Sequence, residues 1–318
     1  MQLPPLGLYI HLPWCERKCP YCDFNSHEAQ DIPEARYVDA LLRDLRADLP
    51  LTQGRAIDTL FIGGGTPSRF SAEAIRQLLQ GVAGLVPLSP TLEATMEANP
   101  GSAESDKFAA FRAAGITRLS LGIQSFDDGR LQALGRIHNS DQARAAIEFA
   151  SAAGFDSFNI DLMHGLPGQD LTAAESDLSS ALAYDPPHLS WYQLTIEPNT
   201  VFHKRPPALP VEDELADIQH RGEQLLARSG YQQYEVSAYS KPGFSCRHNR
   251  NYWEYGHYGA IGAAAHGKVT GSDGCIQRYA KSRLPPDYLA ARGFRRTGER
   301  TLSHDEVPGE IAKNALPL

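Results

Sequence analysis

The sequence predicts an α/β protein: a partial (β/α)6 barrel over residues 1–198, followed by an accessory α+β region over residues 199–318. Three observations carry this. Six short apolar runs alternate with stretches of helical period through the first two-thirds of the chain, the pattern of parallel βα units. Glycine-rich or polar motifs repeatedly stand just after the end of a run, where an α/β barrel keeps its chemistry. Six units in about 190 residues make a partial barrel more natural than a complete eightfold one. Alternation alone also describes an open doubly wound sheet.

Gly7–His11 is the first strand candidate. A helix is expected over about 33–49, because Tyr37, Val38, Leu41, Leu42 and Leu45 recur at spacings of three and four and Pro33 suits an early helical position. Ile57–Ile62 is the second strand and ends at Gly63-Gly64-Gly65; Ser71 then caps a helix whose face holds Ala74, Ile75, Leu78, Leu79 and Val82. Strands follow at Leu92–Met96, Thr117–Gly122, Ser157–Leu162 and Leu189–Thr195, separated by helices near 104–114, 139–153 and 171–183. Beyond Pro198 the texture changes. A proline-rich, basic stretch over 200–210 leads to a helix over about 212–228, then to an aromatic, glycine-rich region through Lys268 that suits a lid or small sheet at the barrel mouth. Residues 271–300 are polar and arginine-rich, and Ser303 with Glu306 forms a candidate capping box for a last helix running to Leu318.

The 38 acidic residues outnumber the 30 Lys and Arg, leaving a net charge of −8 with no long-range pull toward nucleic acid or an anionic membrane. The start, MQLPPLGLYIHLPWC, has no positive n-region and no apolar run approaching the ~20 residues of a membrane span. An unprocessed cytoplasmic protein is expected. Glycine (27) and proline (22) show no period, which excludes a collagen-like chain, and five cysteines are too few and odd in number for a disulfide scaffold. There is no Walker loop, no GxGxxG ahead of the barrel and no GxSxG elbow, so kinase and hydrolase readings have no residues to rest on.

Cys15, Cys19 and Cys22 place three thiols in an eight-residue loop directly after the first strand. In a reducing compartment clustered thiols serve as metal ligands or catalysts, and soft thiolates suit iron–sulfur clusters or zinc. Zinc would want a fourth ligand, for which His11, His27 or Cys246 is available. Three ligands without a matching second pair suit a [4Fe–4S] cluster with one iron left open.

CxxxCxxC with Tyr21 just before the last cysteine resembles the radical S-adenosylmethionine (SAM) enzymes. Its company is Gly63-Gly64-Gly65-Thr66-Pro67, Glu97-Ala98-Asn99-Pro100, Leu121-Gly122-Ile123-Gln124-Ser125-Phe126, Leu134-Gly135-Arg136 and Asp161-Leu162-Met163-His164-Gly165-Leu166-Pro167-Gly168-Gln169. Together these resemble the branch that holds oxygen-independent coproporphyrinogen III oxidase and its heme-chaperone relatives, over nearly the whole chain. The resemblance implies that the open iron chelates the amino and carboxylate groups of SAM, and that Tyr9, Tyr21, Gly64, Gly65, Thr66, Glu97, Gln124, Arg136 and Asp161 bind SAM. The residues suit those roles. Glycines let backbone approach a ligand, a buried carboxylate at Glu97 wants a cationic partner, Gln124 and Arg136 offer donors for carboxylate and ribose oxygens, and Asp161 can accept from ribose hydroxyls.

Within that branch the oxidase carries a further cysteine two positions after the third, where this chain has Phe24, and a longer lead before its first strand. Cys246-Arg247-His248-Asn249-Arg250-Asn251-Tyr252-Trp253 resembles the His-Asn-x-x-Tyr-Trp signature of the chaperones. A histidine can ligate heme iron and neighbouring aromatics can stack on a porphyrin. His248 is the heme-ligand candidate, with Cys246, His11, His257 and His266 as alternatives. The resemblance implies heme as cargo, respiratory enzymes at the membrane as its recipients, and a homodimer; the alternative function is a radical enzyme decarboxylating a porphyrinogen. Relatives continue into a small C-terminal domain, so the accessory region is expected to be incomplete at Leu318.

Overall fold

The computed structural model describes residues 3–102, 105–271, 274–291, 296–303 and 305–315. Strand β1 (Leu6–Leu12) is followed by two short strands, β2 (Trp14–Cys15) and β3 (His27–Glu28), which bracket the cysteine loop. The units that follow are α1 (Glu34–Thr52), β4 (Ile57–Gly64), α2 (Ala72–Leu85), β5 (Leu88–Ala98), α3 (Ser105–Ala114) and β6 (Arg118–Gln124). Then come α4 (Asp128–Ala133), α5 (Ser140–Ala152), β7 (Ser157–His164), α6 (Leu171–Leu182) and β8 (His188–Gln193). The six predicted strands are present and pair in parallel in the order β1-β4-β5-β6-β7-β8. That order never reverses. A doubly wound sheet has a switch point where it does, so the winding is that of a partial barrel.

Caps follow the sequence signals. Ser71 Oγ accepts from Ala74 N at 3.1 Å, and Asn139 with Gln142 forms a reciprocal capping box on α5. The short α4, capped by Asp127, was not expected; six residues are too few to show a helical period.

The accessory region contributes α7 (Val201–Lys204), α8 (Glu212–Arg228), β9 (Gln232–Glu235), β10 (Ala238–Ser240), α9 (Arg247–Trp253) and β11 (His257–Ile261). It continues with β12 (His266–Thr270), β13 (Ile276–Lys281), α10 (Pro285–Ala290), β14 (Arg296–Thr301) and α11 (Val307–Ala315). These strands extend both edges of the same sheet. β10 pairs antiparallel with β8 and carries β9, while β11 pairs parallel with the outer side of β1 and leads to β12, β13 and β14. β11 is thus a seventh parallel strand beyond the six expected; its sequence, HYGAI, merges with the surrounding aromatic, glycine-rich texture. Helix α9 joins the two extensions and packs against β1, β4 and β11. Ser303 N and Oγ both donate to Glu306 Oε2, at 2.9 and 3.1 Å, but α11 starts only at Val307, so this pair closes the preceding turn instead of capping the helix. The expected run of that helix to Leu318 lies outside the described residues.

Side chains alternate along the strands. Leu8, Ile10, Leu60, Ile62, Ala94, Met96, Leu119, Leu121, Ile160 and Leu162 pack outward in the main core, whose helical side includes Tyr37, Leu41, Ile75, Leu78 and Ile147. The alternate set, including Thr59, Glu93, Thr95, Glu97, Arg118, Ser120, Asn159, Asp161, His188 and Ser190, gives the barrel a polar lumen.

Candidate functional site

The cysteine loop is closed at its base by register pairs Trp14 with His27 and Cys15 with Glu28. Lys18 orders its interior: its backbone N–H donates to Glu28 Oε1 at 2.8 Å, and its ammonium donates to the carbonyls of Phe24 and Ser26 at 2.9 and 3.3 Å. Trp14, edge-on to Tyr37 with ring centroids 4.6 Å apart, anchors the loop on α1. Cys15, Cys19 and Cys22 are free thiols, and all three line one cavity of about 540 Å³ at the C-terminal ends of the barrel strands. Tyr9, Tyr21, Gly64, Gly65, Thr66, Glu97, Gln124, Arg136, Asp161 and His248 line the same cavity. The three cysteines, the nine SAM candidates and His248 are therefore brought to one place.

At the strand ends the polar groups are held by specific partners. Gly64 has φ +118°, and a Cβ there would stand 2.6 Å from the His11 ring; one on Gly65 would stand 2.6 Å from the Trp14 carbonyl oxygen. Only glycine lets this turn lie against the cysteine loop. Glu97 accepts from Gly64 N at 3.1 Å, and burial together with the neighbouring Asp161 pushes its carboxyl up to about 7. Asp161 accepts from Ser120 Oγ at 2.9 Å and Asn159 Nδ2 at 2.7 Å, yet burial still raises it. Gln124 sits at φ +70° beside a strand irregularity, with Oε1 accepting from Tyr192 O–H at 2.7 Å. Arg136 donates from Nη2 to the Gly122 carbonyl at 2.7 Å and brings Nη1 to 3.7 Å from Cys19 Sγ, while its buried Nε has no partner among the described residues. Burial raises the Cys15 and Cys22 thiols, so the guanidinium beside Cys19 supplies the positive charge a thiolate set needs.

The opposite wall is made by Glu235, Ser237, His248, Asn249, Tyr252 and Trp253. Helix α9 enters the lumen by its first turn, where Glu93 accepts from Arg247 N and His248 N, both at 3.1 Å. The His248 ring bonds Thr59 Oγ1 through Nδ1 at 2.9 Å and lies 5.2 Å from the Phe61 ring. The other iron-ligand candidates are placed differently. Cys246 is buried against Glu93 and Asn249, with its thiol raised to about 11; His11 bonds Tyr9 O–H and the Asn25 carbonyl; His257 bonds Arg55 and Thr270. His266 is exposed and none of these four lines the cavity. His11 and Cys246 are likewise committed away from a fourth-ligand role for zinc at the cysteine loop.

Tyr192 and Glu235 line the cavity but were not singled out in the sequence. Tyr192 had a usable signal, since it alternates with Ser190 near the end of the last barrel strand. Glu235 is delivered by the β9–β10 hairpin and had none.

A family model described as the radical SAM superfamily matches residues 9–178. The heme chaperone HemW of Escherichia coli K12 is 52% identical over all of this chain and 84% of its own length. The chain belongs to the HemW family of radical SAM proteins. HemW of Bacillus subtilis is 35% identical over 90% of this chain and 76% of its own length. Among solved structures, the E. coli coproporphyrinogen III oxidase HemN, a radical SAM enzyme, superposes with a TM-score of 0.85 over 99% of this chain and 76% of its own, at 23% identity, a likeness of fold. Radical SAM membership implies a [4Fe–4S] cluster and SAM. The HemW-family cavity fits both: three free thiols open into it beside Arg136, and the Gly64-Gly65 backbone and the Glu97 carboxyl line it with them. No helix among the described residues is long and apolar enough to cross a membrane.

Proposed function

We propose that this protein is a cytoplasmic heme chaperone that binds a [4Fe–4S] cluster, SAM and heme in one cavity and delivers heme to respiratory enzymes at the membrane, acting as a homodimer. Residues 1–198 form the SAM-binding barrel and 199–318 the cargo-binding accessory region. Cys15, Cys19 and Cys22 hold the cluster and leave one iron open to SAM. Tyr9, Tyr21, Gly64, Gly65, Thr66, Glu97, Gln124, Arg136 and Asp161 hold SAM: Glu97 faces its cationic part, Asp161 its ribose hydroxyls, and Arg136 and Gln124 its carboxylate and ribose oxygens. When bound, a reduced cluster supplies one electron to the SAM sulfonium. His248 ligates heme iron, with Tyr252 and Trp253 against the porphyrin.

The observation that supports this most is the entry of α9 into the lumen, which puts His248 on the same cavity as the three cysteines. Phe24, 62% exposed at the cavity where the oxidase has a fourth loop cysteine, favours the carrier over the decarboxylase. The test is anaerobic reconstitution of the cluster, followed by addition of SAM with heme or with coproporphyrinogen III. Stoichiometric heme retention without decarboxylation is expected. Conversion to protoporphyrinogen IX overturns the carrier reading.

A further inference from the structure

Three barrel residues, none in the cysteine loop or the His-Asn-x-x-Tyr-Trp segment, shape the seat of the His248 ring. Thr59, on β4, reaches Nδ1 with its hydroxyl at 2.9 Å. Phe61, two residues on and therefore on the same side of the strand, lies against the ring at an interplanar angle of 33°. Gly7, opposite Thr59 on β1, leaves the space the ring needs: a Cβ there would stand 2.9 Å from Thr59 Oγ1, 3.2 Å from His248 Cε1 and 3.3 Å from Nδ1. The main chain of His248 is held separately, its N–H donating to Glu93 on β5. The imidazole is thus fixed at both ends, and Nε2 is the ring nitrogen that makes no hydrogen bond with a described residue.

We propose that Thr59, in the space left by Gly7, is the positioning residue for heme ligation: its hydroxyl oxygen accepts a hydrogen bond from Nδ1–H, fixes the Nε2 lone-pair tautomer and aims Nε2 into the cavity. This rests on His248 being the iron ligand. A histidine that ligates a metal through one nitrogen is oriented by the hydrogen bond of the other, and loss of that partner costs about 10–100-fold in affinity. A hydroxyl that served only the fold would leave the iron's ligand field untouched.

The experiment uses the full chain with its cluster reconstituted anaerobically and ferric heme as the probe, read by heme titration and by the absorption and electron paramagnetic resonance spectra of the iron. His248→Ala is expected to lose the histidine-ligated signature. Thr59→Val is expected to weaken heme binding by about tenfold and to shift that signature, with SAM binding unchanged, while Thr59→Ser restores both. Gly7→Ala, whose methyl would crowd both the Thr59 hydroxyl and the His248 ring, is expected to shift the signature too, and it decides the matter if Thr59→Val does not fold. A wild-type spectrum and affinity in Thr59→Val, or in Gly7→Ala as its substitute, overturns the proposal while leaving His248 as ligand. A wild-type spectrum in His248→Ala overturns the ligand assignment first, and the proposal with it.

Discussion

Glu97 offers the sharpest test of how the cavity receives SAM. Its carboxyl is pushed up to about 7 by burial and by Asp161, against which the single N–H of Gly64 is a minor opposing contribution. A carboxyl raised this way is mostly protonated in the free protein below pH 7, whereas a cationic ligand needs it ionised. SAM affinity therefore gains a factor equal to the ionised fraction, which rises from about one-tenth at pH 6 to about nine-tenths at pH 8, a tenfold change or about 1.4 kcal/mol. Free α-amino groups such as that of SAM titrate at about 7.7–8.0, so affinity alone does not isolate Glu97. The ratio of wild-type to Glu97→Gln affinity does, because the ligand's own titration cancels. Equilibrium dialysis of labelled SAM against reconstituted protein at pH 6, 7 and 8 should show that ratio climbing about tenfold. A ratio constant across the range refutes the argument: either Glu97 is already ionised in the free protein or it does not face the cation.

Other sites give simpler expectations. Lys281 Nζ lies 2.6 Å from both Asp44 Oδ1 and Asp48 Oδ2, and its side chain is 1% exposed; Lys281→Met leaves two buried carboxylates short of a partner and should cost about 3–5 kcal/mol in urea unfolding. A loss under about 1 kcal/mol would mean that Arg296, 2.8 Å from Asp48, carries the cluster alone. Tyr192→Phe removes the bond that fixes Gln124 and should weaken SAM binding by about 0.5–1.5 kcal/mol in the same dialysis assay, with thermal stability nearly unchanged. Gly65→Ala drives a methyl against the Trp14 carbonyl, so iron content after reconstitution should fall, with a stability loss of about 1–3 kcal/mol by thermal unfolding; full iron content would show that the glycine serves only the turn.

The barrel was legible because its signals are local. Short apolar runs, Ser71 at a helix start, and glycines at a strand end each announce themselves within a few residues. The cavity was legible for the same reason: the candidate residues fall at or just beyond the C-terminal ends of strands, and winding in one direction must gather those ends. What escaped depends on long-range placement. Neither α9 nor β11 can be assigned to the lumen or to the β1 edge from sequence, because their partners, Glu93 and Thr59 for the helix and β1 for the strand, lie some 150 to 250 residues earlier in the chain. Glu93, Thr59 and Arg118 read as unremarkable strand residues until a helix is threaded between them.

That threading also sets the electrostatics of the two halves of the cavity. Barrel interiors are commonly filled by layers of branched apolar side chains, but here Arg118 is 3% exposed within the lumen, its Nε without a hydrogen-bond partner among the described residues, facing Cys246, Glu93, Tyr234 and Asp161. Desolvation disfavours the imidazolium form of His248 and His188, and the Arg118 charge disfavours it further, holding His248 down to about 4 and His188 well below its usual range. Glu97, at the other end of the same lumen, is displaced upward instead, since its neighbours are Asp161 and the barrel wall. Burial lowers His248 and raises Glu97, with Arg118 adding to the first shift and Asp161 to the second, so the two groups are separated in pH. Between pH 6 and 8 His248 stays neutral and able to ligate, while Glu97 passes from mostly protonated to mostly ionised. Heme retention should hold steady across the window in which the Glu97-dependent part of SAM binding changes tenfold. A parallel fall in both toward pH 6 would mean that the heme is held by a group other than His248, or that the two sites exchange protons through the lumen.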